Sequence, residues 1–113
     1  MKYRTYRQDK AIKATAAVQK ILGEKVPEGH VLEVTHMSVA DVTNPDKTLE
    51  LGYVDVASED RILHAAKGAT RHECHLTGHA WVEAGEQPFG RVTTHGDGDA
   101  VIFSCHGKLW PKG

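Results

Sequence analysis

Apolar and polar residues alternate along this chain in short runs, and glycine, proline, asparagine and aspartate separate the runs. The strongest pattern lies between Trp81 and Gly107. There the apolar runs Trp81-Val82 and Val101-Ile102-Phe103 are punctuated by Gly85-Glu86 and by Gly96-Asp97-Gly98-Asp99, as in short strands joined through tight turns. Upstream, Val26-Pro27-Glu28-Gly29 combines a fixed φ with a permissive glycine and predicts a turn. A strand over Val31–Val39 follows it. Its parity shifts, because Leu32 and Val34 share one face while Met37 and Val39 share the other, so either a bulge near Thr35-His36 re-aims the chain or both faces are partly covered.

After a loop over Asp41–Lys47, containing Asn44-Pro45-Asp46, the segment Thr48–Val56 alternates with Leu49, Leu51 and Tyr53 on one face. Further strands are expected at Arg61–Ala66 before a Lys67-Gly68 break, at His72–Val82 with an interruption at Gly78, at Phe89–Thr94 and at Ala100–His106. Strands at spacings of about ten residues predict an all-β antiparallel sandwich or barrel rather than βαβ units.

Residues 10–22 admit two readings. Ala11, Ala14, Val18, Ile21 and Leu22 fall on one helical face, with Asp9 as a candidate N-cap and Gly23 as a stop. Ile12, Ala14, Ala16 and Val18 equally fit strand parity. The expectation is a helical or irregular arm leading into a short strand at Val18–Leu22. This divides the chain into an N-terminal arm over 1–25 and a β domain over 26–113.

Charge sharpens that division. Residues 1–25 carry seven Lys/Arg against Asp9 and Glu24, a net of +5, whereas residues 28–113 carry a net of −6. A basic segment ahead of an acidic body suits contact with a complementary surface. Tyr3, Arg4, Tyr6 and Arg7 interleave aromatic and guanidinium groups in it. Without a basic groove on the body, a protein partner ranks above nucleic acid. With 113 residues there is room for one core. No run reaches the roughly 18 apolar residues of a membrane helix, and the first residues lack the apolar segment of a signal peptide, so a soluble protein made in the cytoplasm is expected. Cys74 and Cys105 read as free buried thiols, with one bridge as the alternative.

Eight histidines raise the question of a metal. A structural zinc could draw on His72, Cys74, His75 and His79 with Cys105-His106 from the last strand, and a cupin-like metal-dependent β-barrel enzyme on His72, His75, His79 and Glu83. The spacing argues against both: there is no CxxC pair, no HExxH and no His-x-His, and His72 and His75 point to opposite faces of a regular strand. Ser104, Cys105 and His106 are sequential and cannot pair as nucleophile and base, and there is no Gly-x-Ser-x-Gly turn. No catalytic, cofactor or metal residues are therefore assigned.

Val26-Pro27-x-Gly29, the apolar strand followed by Asp41 and Thr43, the Leu49–Gly52 strand, Gly85-Glu86, Gly98-Asp99 and a closing strand to Gly107 together resemble the small β-sandwich virion proteins of tailed bacteriophages. The likeness runs from Val26 to Trp110. It implies a jelly-roll-like auxiliary structural protein located in the virion, chiefly a capsid decoration or cement protein, alternatively a neck or tail adaptor. The expected partners are the major capsid protein and further copies of the chain in a homotrimer. The expected contact residues are Tyr3, Arg4, Tyr6 and Arg7 in the arm, with Trp81 and Trp110 as interface anchors.

Overall fold

The computed structural model describes residues 2–44, 46–93 and 98–112, with the side chains of 46, 47 and 67–71 set aside. Eight strands are present among the described residues: β1 (Arg4–Lys13), β2 (Val18–Leu22), β3 (His30–Asp41), β4 (Asp46–Val54), β5 (Asp60–Arg71), β6 (Glu73–Glu83), β7 (Gln87–Thr93) and β8 (Ala100–Pro111). They form two antiparallel four-stranded sheets, ordered β1-β8-β3-β6 and β2-β7-β4-β5. Strands adjacent in sequence alternate between sheets except at the β4–β5 hairpin, which is the double Greek-key wiring of an eight-stranded jelly roll. The body measures 45 × 25 × 23 Å, so each sheet presents a long outer face.

Inward residues of the two sheets meet in one core. Leu32, Val34, Met37 and Val39 of β3, Val101, Phe103 and Cys105 of β8, Leu49 and Leu51 of β4, and Val92 of β7 are buried there. Phe103 occupies the space left by Gly90, where an added Cβ would come within 2.7 Å of the Phe103 ring and 3.0 Å of Val39. Cys74 and Cys105 are both buried and form no disulfide with one another.

The parity shift in β3 is a bulge. Val34 pairs with Gly107 and His36 with His106, leaving Thr35 as the extra residue, and its hydroxyl donates to the His106 carbonyl at 3.1 Å. Both halves of the strand thereby keep their apolar residues inward. Gly107 sits against this bulge so closely that a Cβ there would collide with the Glu33 carbonyl. The expected interruption at Gly78 is a second irregularity in the β3–β6 pairing, with Gly78 at φ 114°. The expected break at Lys67-Gly68 does not end a strand; β5 runs on to Arg71, and a register shift against β4 absorbs the irregularity. Pro45 and the Gly96-Asp97 half of the predicted turn lie outside the described residues.

The N-terminal segment departs most from expectation. There is no helix among the described residues, and residues 4–13 form no free arm: β1 pairs with β8 through ten successive registers. Ala14 extends the pairing, donating from its N–H to the Asp99 carbonyl and accepting from the Gly98 N–H, each at 2.8 Å. Strand parity prevails over helical periodicity because β8 offers a full row of backbone donors and acceptors, whereas a short isolated helix is marginal. Several of the segment's basic side chains are engaged within the fold. Arg7 pairs with Asp9 at 2.7 Å, Lys20 with Asp60 at 2.7 Å, and the Lys10 ammonium donates to the Leu22 carbonyl. The expected strand at Val18–Leu22 is present as β2, paired with β7.

Candidate docking face

The residues expected to meet a partner separate by strand parity. Tyr6 points inward, is 4 % exposed, and donates its hydroxyl to the Glu24 carbonyl at 2.7 Å, so it is a core residue and not a contact. Burial, the largest influence, raises its pKa well above the ordinary phenol value. Arg4 shares the parity of Tyr6 and lies exposed at the start of β1. Arg7, Trp81 and Trp110 instead belong to the outward rows of the β1-β8-β3-β6 sheet, and Tyr3 joins them just ahead of β1.

At one end of this face the aromatic groups gather. The Tyr3 ring lies 5.1 Å from that of Trp110, and the Lys108 ammonium sits 4.9 Å above Tyr3. Trp110 Nε1 donates to Glu33 Oε1 at 2.9 Å, while Glu33 Oε2 pairs with His79 Nδ1 at 2.5 Å. The indole donor, ahead of His79 and Lys108, holds the Glu33 carboxyl below its usual range. Trp81 stands opposite Glu33 in the register and is 54 % exposed; Tyr3 is 46 % exposed. Large aromatic groups left half in water on a rigid sheet are uncommon as packing and frequent as interface anchors.

The middle of the face is polar. Asp9 Oδ2 accepts from Arg7 Nε at 2.7 Å, and its Oδ1 meets the Ser104 hydroxyl at 2.8 Å and His106 Nε2 at 2.9 Å. Arg7 foremost, then His106 and Ser104, hold the Asp9 carboxyl far below the ordinary carboxylate range. The order Ser104–Asp9–His106 puts the carboxylate between hydroxyl and imidazole, so the serine receives no help from the histidine as base. The His36 ring lies between those of His75 and His106, with centroids 5.8 and 5.9 Å away, and His75 Nε2 meets Glu73 Oε1 at 3.1 Å. A shallow depression of about 270 Å³ borders Tyr3, Arg7, His106 and Lys108.

The opposite sheet is differently finished. Phe89 is outward by parity but fully covered, with Lys20 4.9 Å and Arg91 5.3 Å from its ring centroid. Arg91 also pairs with Glu50 at 2.9 Å and Asp60 at 2.6 Å, closing that surface with an ion network.

The candidate metal residues do not converge. His72 faces the Asp41 carbonyl at 2.9 Å, His75 and His79 pair with Glu73 and Glu33, and Glu83 accepts from Lys112 at the far end of β6. Among the described residues, no group of three or more His, Cys, Asp or Glu is placed to hold a metal ion. His64, Ala66, His72, Glu73, Cys74 and His75 border an open cleft of about 510 Å³ between the margins of β5 and β6.

Neither a protein-family model nor a curated protein matches the chain. No helix among the described residues is long and apolar enough to cross a membrane. Sequence reasoning found the aromatics of the docking face but did not place Asp9, Glu33, His36, His106 and Lys108 on it; it read Asp9 as a candidate helix cap and His106 as a candidate metal ligand. Their only signal was outward parity, readable in β3 once the bulge at Thr35 is set.

Proposed function

We propose that this chain is a structural component of a tailed-phage virion, a decoration or cement protein that binds the major capsid protein and stabilises the head. The observation that carries this reading is the aromatic end of the β1-β8-β3-β6 face. Trp81 is exposed there on β6, whose backbone is fixed by pairing with β3, and Tyr3 just ahead of β1, with Trp110 held in place by Glu33. A preorganised aromatic patch loses little side-chain freedom on docking and suits a flat, repeated protein surface. The jelly-roll wiring, together with a turn pattern that resembles that of small phage virion proteins, favours that setting over other protein partners. Docking through the sheet replaces docking through a basic arm, because residues 4–13 are already committed to β8.

Attachment as a homotrimer belongs to this reading: three copies around a local three-fold would each present one such face to the lattice. A neck or tail adaptor shares the fold and differs in copy number. Quantitative mass spectrometry of purified virions separates the two, with hundreds of copies expected for decoration and about a dozen for a neck component. Absence from purified particles would overturn both.

A further inference from the structure

His36, His75, His79 and His106 all lie on the outer face of the β1-β8-β3-β6 sheet, beside the aromatic end described above. The charged groups on that face within the strands are Arg7, Asp9 and Lys13 of β1, Lys108 of β8, Glu33 of β3, and Glu73 and Glu83 of β6. With neutral imidazoles the face carries a formal −1; with four imidazolium groups it carries +3. Histidine is the side chain whose charge state ordinarily changes between about pH 5 and 8, so protonation of the imidazoles decides the sign of this face.

The four are not equivalent. His75, His79 and His106 each have a carboxylate of their own in Glu73, Glu33 and Asp9. His36 instead has a histidine ring on either side. When His75 and His106 take up protons their charges are matched by neighbours, whereas a proton on His36 meets two cations. An added carboxylate over His36 would remove that opposition. By linkage, a ligand bringing one then draws protons onto the cluster as it binds.

We propose that His36, His75 and His106 form a proton-gated seat for a carboxylate of an acidic protein surface. The proposal deepens the docking reading given above and rests on it for the identity of the partner. A protein surface fits better than nucleic acid because Asp9, Glu33 and Glu73 are interspersed among the cations. They would repel a continuous polyphosphate but can match a mixed surface. The aromatic end supplies contact at any pH, and the histidine seat adds to it as pH falls.

Two measurements test this. In the first, a hexaglutamate peptide is titrated into the free protein and the histidine ring resonances are followed. At pH 5.5 the peptide should shift His36, His75 and His106; at pH 7.5 its affinity should be at least about tenfold weaker, one proton taken up giving up to tenfold per pH unit. The His36→Gln variant should lose this gain, and His64→Gln, on the other sheet, should keep it. No histidine shift at pH 5.5, or equal affinity at both values, overturns the seat. In the second, attachment to particles is measured over the same range. Attachment that does not vary with pH overturns the gating and leaves docking intact. A peptide response without attachment at any pH supports the seat and sinks the capsid assignment.

Discussion

The Tyr6 hydroxyl donates to the Glu24 carbonyl at 2.7 Å, tying the edge strand β1 of one sheet to the connection that follows β2 in the other. Eighteen residues separate the two groups, and the bond closes the margin of the sandwich where a free arm was expected. Gly23 lies alongside, where an added Cβ would come within 2.9 Å of the same hydroxyl. Tyr6→Phe keeps the ring and removes the donor, so it should lower unfolding free energy by about 1 kcal/mol, measured by urea denaturation. An unchanged midpoint would mean that β1 is not held at this point.

Alkaline pH should expose the same region. Burial raises Tyr6 above the ordinary phenol value of 10.0, with nearby Cys105 and Glu24 adding to it, and burial pushes the Cys105 thiol from 9.0 up to about 12. Both groups are neutral when protonated and ionise more readily in the unfolded chain, which therefore binds fewer protons above pH 9. Their contribution is complete below pH 9 and is lost as pH rises through the folded values. Urea midpoints should hold to about pH 9 and fall by pH 11. A flat profile to pH 11 would contradict the burial of both groups.

Gly90→Ala should destabilise by about 1–3 kcal/mol, because its Cβ meets the Phe103 ring at 2.7 Å and Val39 at 3.0 Å between the two sheets. Thermal and urea unfolding both report it. A neutral result would mean that the sheets can separate locally at Phe103.

On the opposite sheet, Arg91→Ala leaves the buried Glu50 carboxylate without its guanidinium and uncovers Phe89. The expected cost is about 2 kcal/mol, between that of an exposed and a buried ion pair. A double-mutant cycle with Glu50→Gln should return a coupling above about 0.5 kcal/mol. Additive effects would show that the pair is incidental.

Much of the fold was legible from local pattern. The parity change from Leu32 and Val34 to Met37 and Val39 pointed to a bulge near Thr35-His36 or to cover on both faces, and the structure has the bulge; Gly78 marked the irregularity in β6, and Val18–Leu22 marked β2. β1 was not legible, since Ile12 and Ala14 fit helix and strand alike until β8 supplies a partner ninety residues away. The candidate face was half legible. Trp81 and Trp110 stand out by type, but the meeting of Asp9 with Ser104, 95 positions apart, depends on β1 and β8 being neighbours. Local periodicity carries no information about that adjacency.

Docking through this face turns on Trp81, exposed on a rigid strand and outside the buried core. Trp81→Ala should change unfolding free energy by no more than about 0.5 kcal/mol. The decisive measurement is co-sedimentation of the purified wild-type and Trp81→Ala proteins with particles that lack the protein. Wild type should saturate the particles and the variant should bind at least tenfold more weakly at pH 7.5. Equal saturation by both proteins would contradict docking through this face.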